Sequence, residues 1–246
     1  MLESSPWYKL YSFAPPHFPF CGEISQGWVA DPVDTYSSLL YIFASLLIFK
    51  EAKRGAPPIL RNIGYIPIVV ALGSILFHMS FTFTFLVADF LGIFFLNFYG
   101  IFLNFRRLNI VGREKIGLYS FIGTVIYAIL MGLTYQLNIH SGLMMLPLLF
   151  VYLSSEVICY RQEEGVSYKS YWTAFLLISL GYGAMLIEGP PFRLGCLIGP
   201  YYGKVQLHTI WHFLSALSMI FIFRFYNQEG IKRAFLNSSL EPQKKN

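Results

Sequence analysis

The stretch GSILFHMSFTFTFLVADF, Gly73–Phe90, is among the most apolar parts of this chain, yet it carries Ser74, His78 and Asp89. A carboxylate in the hydrocarbon core costs about 2.5–3.5 kcal/mol even on insertion scales. The stretch is best read as the end of one membrane span, Ile63–Phe81, and the start of the next, Thr84–Phe105, joined by a tight turn. Two antiparallel helix ends can then turn their polar groups inward, away from lipid.

Working outward, the same pattern repeats. Apolar runs bounded by charge or by Pro and Gly clusters predict further spans at Thr35–Phe49, Ile116–Gln136, Gly142–Tyr160, Ser170–Glu188 and Gln206–Tyr226. The expected fold is an all-α membrane protein, a seven-transmembrane helix bundle. It is flanked by an N-terminal segment at 1–33 and a polar, loosely ordered tail at 228–246, with the membrane domain at 34–227. The chain is 55% hydrophobic and only 13% charged, which excludes an ordinary soluble domain. Its Lys and Arg residues lie between the apolar runs and not in one patch with interleaved aromatics, so nucleic acid is excluded as a partner. No protein partner can be inferred. The N-terminal segment has five prolines and no basic flank leading into an apolar core, so no cleavable signal peptide is expected.

Charge sets the expected orientation. The first, third and fifth connections and the C-terminal tail hold 15 of the 18 basic residues, leaving Lys9, Arg193 and Lys204 on the other side. By the positive-inside rule the N-terminus is extracytoplasmic and the C-terminus cytoplasmic. Cys21 and Cys196 then share the oxidising side, and a Cys21–Cys196 disulfide is expected; Cys159 falls near the cytoplasmic end of the fifth span.

Ser74 and His78 are four residues apart and share a helix face, as do His208 and His212 in HTIWH. Given the orientation of the spans, His78, Asp89, His208 and His212 all fall at one depth, toward the extracytoplasmic side. Taken singly, each has a plainer reading: an interhelical hydrogen bond for a histidine, a buried partner for Asp89, packing for Ser74. The shared depth favours a metal. Three imidazoles with an open fourth position form the ligand set of a catalytic zinc, whereas a structural zinc is closed by four protein ligands. Such an ion lowers the pKa of its bound water and polarises a carbonyl. Asp89 is placed to orient that water and pass its proton to a leaving group, and Ser74 to hydrogen-bond the water or a developing oxyanion. A site at this depth suits a membrane lipid amide or ester better than a soluble substrate.

At these residues the chain resembles the alkaline ceramidases, within a superfamily of seven-helix membrane hydrolases that also includes adiponectin receptors and lipid-remodelling proteins of GPI anchors. The superfamily pattern, Ser-x-x-x-His on the second span, Asp on the third and His-x-x-x-His on the seventh, is matched by SILFH, Asp89 and HTIWH across the whole bundle. Trp211, directly before His212, and the segment CGEISQGWVADPVDTYSS favour the ceramidase branch. The resemblance implies zinc on His78, His208 and His212, catalytic roles for Asp89 and Ser74, and Trp211 at the substrate. The implied reaction is hydrolysis of ceramide or another N-acyl lipid. The family also binds calcium through acidic and amide groups before the first span, for which Glu23, Asp31 and Asp34 can offer oxygens. Here the pattern departs: Gly22 separates Cys21 from Glu23, Asp31 stands where a Glu is usual, and Asp34 and Ser38 replace two Asn. Asp31 and Asp34 equally suit a helix cap. Glu188 is a candidate for headgroup selection or an interfacial anchor, and His17 and His140 read as surface residues. The rival readings are a receptor of the adiponectin-receptor type with weak hydrolysis, whose inverted topology argues against it, and a transporter relaying protons through the His and Asp groups. The sequence has no sign of the paired broken helices a transporter would carry.

Overall fold

The computed structural model of the chain describes residues 3–16, 24–137, 139, 141–188 and 206–236. Among them seven helical stretches are long and apolar enough to cross a membrane: Pro32–Ala52, Pro58–Ser80, Phe83–Arg107, Arg113–Gln136, Gly142–Gln162, Lys169–Glu188 and Leu207–Tyr226. No strand occurs among the described residues. The protein is a multi-pass integral membrane protein, numbered here by its first to seventh spans. Several helices run past the expected apolar limits, because charged residues such as Lys50, Glu51, Arg106 and Arg107 stay helical where the chain leaves the hydrocarbon. Cys21, Cys196 and Glu23, with His17 and His140, lie outside the described residues, and so does the expected disulfide.

The opening stretch folds as two antiparallel helix ends. Phe81 closes the second span in the left-handed conformation (φ 50°), its N–H donating to the Phe77 carbonyl at 2.6 Å, and the third span starts at Phe83. That conformation usually falls to Gly; here Phe81 is buried and stacks on Phe77, which offsets the cost. Gly73 and Gly92 bring these two spans to backbone contact. A Cβ at Gly73 would collide with the Ala88 carbonyl, and one at Gly92 with the Val70 backbone. Such small-residue contacts are how membrane helices pack closely without a hydrophobic driving force.

The third span is central, packed against the second, fourth and fifth; the seventh packs on the sixth and the first. Among the described residues the fifth and sixth spans have little close backbone approach, and the rings of Tyr152 and Tyr171 lie 6.4 Å apart between them. The tail departs from expectation. Glu229–Leu236 is a helix with Ile231 and Phe235 fully buried. Arg106 Nε donates to the Ala234 carbonyl at 3.1 Å and Arg113 Nη1 to the Phe235 carbonyl at 3.1 Å. Cations on the last carbonyls of a helix are favourable, so an amphipathic eight-residue segment inside a polar tail becomes ordered by docking.

Candidate metal centre and cavity

His78 lies in the last turn of the second span, and His208 and His212 lie one turn apart at the start of the seventh. Their candidate ligand atoms fall within 4.8 Å of one another. The ring centroids are 5.0 Å apart for His78 and His208, 5.2 Å for His78 and His212, and 4.7 Å for His208 and His212. His78 is only 3% exposed, and among the described residues neither of its ring nitrogens has a hydrogen-bond partner. A buried polar group left unpaired costs about 1–3 kcal/mol. This is the deficit that a cation would remove, and a set of imidazole nitrogens fits zinc.

Around the cluster the first span supplies orientation. Ser37 Oγ is 2.7 Å from His212 Nδ1, while His212 Nε2 faces inward, 3.3 Å from Ser74 Oγ. Ser74 in turn accepts from Ser38 Oγ at 3.0 Å, and Gly73 beside it packs on the Asp89 backbone. The sequence-predicted Ser74, His78, Asp89, His208 and His212 therefore form one constellation. Tyr41 donates to or accepts from Ser215 at 2.7 Å and sets its ring edge-on to His212.

The acidic residues before and within the first span join the same site. Asp31 is the N-cap ahead of Pro32 and accepts from the Asp34 N–H at 3.3 Å, so the capping role is seen directly. Its own N–H donates to the His78 carbonyl at 2.9 Å, which pins the N-terminal segment to the end of the second span. The other Asp31 oxygen, Oδ2, lacks a hydrogen-bond partner among the described residues and lies 3.8 Å from His78 Nδ1. Burial, and then the neighbouring Asp34 carboxylate, push the Asp31 carboxyl up to about 7. Asp34 accepts from Thr209 Oγ1 at 2.8 Å, and Asp31, Asp34 and His78 also place ligand atoms within 4.8 Å of one another. Glu188 accepts from the His208 backbone N–H at 2.6 Å, so it caps the helix that carries two of the histidines.

From this cluster an apolar cavity of about 280 Å³ runs into the bundle. Asp89, His208 and Trp211 line it, as do Leu146 and Leu149 of the fifth span and Ile178 and Met185 of the sixth. Trp211 packs over Gly181, where a Cβ would sit 3.2 Å from the indole.

Ser37 and Thr209 are the site residues that sequence reasoning missed. Ser37 and Thr209 carried one weak signal: each is a hydroxyl within a helical turn of a residue already singled out, Asp34 or His208. No protein-family model matches the chain, and no curated protein matches it.

Proposed function

We propose that the protein is a zinc-dependent intramembrane hydrolase that cleaves the amide bond of ceramide or a related N-acyl lipid. The observation that carries the reading is the cluster of buried His78 and His212 with half-buried His208, next to Ser74 and to an apolar cavity that Asp89 and His208 line. A lipid amide has the matching parts: a carbonyl for the polar end and a hydrocarbon chain for the cavity. The sparse backbone contact between the fifth and sixth spans supports entry of that lipid sideways from the bilayer.

His78, His208 and His212 would hold the zinc ion, whose chemistry, when bound, is to polarise the carbonyl and acidify a water molecule. The rest falls to the chain's own groups. Ser37 on His212 Nδ1 fixes that ring so that Nε2 faces the centre. Asp89, which lines the cavity with His208, takes the proton from the attacking water on a carboxylate oxygen and returns it to the departing amine nitrogen. Net, one water is added across the amide, giving a fatty acid and an amine. Trp211, in the cavity lining, orients the chain next to the scissile bond.

The Lys and Arg distribution supports an extracytoplasmic N-terminus and a cytoplasmic C-terminus, which sets the metal centre toward the extracytoplasmic side and Cys21 and Cys196 in an oxidising compartment. Calcium on Asp31 and Asp34 with Glu23 is the second cofactor of this reading, favoured by the unpartnered Asp31 Oδ2.

The direct test is fatty-acid release from ceramides and other N-acyl lipids by purified protein. Asp89→Asn should lower release by about 10²–10⁴-fold, the usual worth of a positioned acid–base group, while the bound metal is retained. Release unchanged in that variant would overturn the assignment of Asp89.

A further inference from the structure

The cavity ends deep in the bundle on Leu103, Tyr152 and Tyr226. Leu103 and Tyr226 are fully buried and Tyr152 is 9% exposed, and they are the lining residues farthest along the third, seventh and fifth spans from the histidine end. Tyr152 lies flat on the third span because residue 100 is glycine: a Cβ there would fall 2.7 Å from the tyrosine ring. From Asp89 to Leu103 the third span rises roughly 20 Å at 1.5 Å per residue, a length that suits a long-chain acyl group.

Behind this floor stands a paired network. Tyr226 Oη donates to Asn104 Oδ1 at 2.8 Å and lies 3.3 Å from Tyr152 Oη. Arg107 Nη1 donates to the same Asn104 oxygen at 3.0 Å and to both Glu156 oxygens at 2.8 Å; Arg107 Nη2 reaches Glu163 Oε2 at 2.6 Å. Tyr168 Oη donates to Glu156 Oε1 at 2.8 Å, and the Arg107 guanidinium sits 5.3 Å from the centre of the Phe225 ring. The network ties the third, fifth and seventh spans to the connection before the sixth. A satisfied polar network in a low-dielectric interior is rigid. The floor cannot give way to a longer chain without breaking it.

From this geometry we infer that Leu103, Tyr152 and Tyr226 form a stop that sets the longest acyl chain the protein accepts, with the Arg107 network holding the stop in place. The inference rests on the lipid-hydrolase reading for its substrate class, but its test does not need turnover. The probe is a series of saturated fatty acids graded by chain length, added to the full-length protein in lipid nanodiscs, with thermal stabilisation and displacement of a labelled fatty acid as readouts. The unmodified protein should show affinity rising with length to a sharp limit. Leu103→Ala should move that limit to longer chains, and Leu103→Phe to shorter ones. Near the limit each methylene gained or lost should change affinity by about fourfold, the equivalent of about 0.8 kcal/mol. Chain-length profiles of N-acyl lipid hydrolysis should move in parallel. If the limit shifts while no lipid is hydrolysed, the stop stands and the hydrolase reading fails. If fatty acids bind but both folded variants keep the original limit, or if no chain length binds, the stop is overturned.

Discussion

The two ends of the bundle bury polar groups in opposite ways. At one end Arg107, Glu156, Glu163, Asn104, Tyr168 and Tyr226 are joined into a paired network. At the other, His78 is buried with both ring nitrogens lacking hydrogen-bond partners among the described residues, Asp31 Oδ2 shares that condition, and a cavity opens beside them. A folded chain tolerates the second arrangement only where something else meets the deficit. The paired end reads as structure and the unpaired end as a site waiting on a ligand.

Breaking the paired end should give the largest effect on stability. Arg107→Met leaves Glu156 buried without its cation, and loss of one partner of a buried ion pair costs about 3–5 kcal/mol. Thermal unfolding in detergent should show a large fall in melting temperature, with the metal bound per folded molecule unchanged. A melting temperature equal to that of the unmodified protein would remove the distinction between the two ends.

Sharpening the unpaired end needs a gentler change. Ser37→Ala removes the hydroxyl 2.7 Å from His212 Nδ1 without touching a ligand atom. Zinc affinity, measured by competition with a chelator, should fall by about 10–100-fold, as it does when partners that orient metal-bound histidines are lost. Stability of the metal-free protein should fall by only about 1–3 kcal/mol, the cost of leaving the buried His212 Nδ1 unpaired. An unchanged zinc affinity would mean that Ser37 orients nothing.

The two ends also differ in how far the sequence could disclose them. The seven spans were legible because about 20 apolar residues in a row have few other uses; their ends were not, since Lys50, Glu51, Arg106 and Arg107 extend helices beyond the apolar limits. The grouping of Ser74, His78, Asp89, His208 and His212 was legible from helical spacing and depth, because a polar group in an apolar run must answer for its cost. Ser37 and Thr209 were not, since serine and threonine commonly bond back to their own helix and leave no trace of a tertiary partner. Arg107 counted as one of many basic residues marking the cytoplasmic side, yet it is buried and paired across 49 residues of sequence to Glu156. A pair so distant has no periodicity to betray it. Asp31 and Asp34 carried two readings, cap or calcium ligand; the cap is seen for Asp31, and their proximity to His78 emerges only when the first and second spans meet.

The central claim is that the histidine end is a metal centre. Its most direct measurement is the metal content of the purified full-length protein by elemental mass spectrometry, alongside His78→Leu, which replaces a buried unpaired imidazole with an apolar side chain and should keep the fold. The account predicts about one zinc per chain in the unmodified protein and background in the variant. A natively folded protein that stays zinc-free when zinc is supplied, or a variant that retains full zinc, would contradict it.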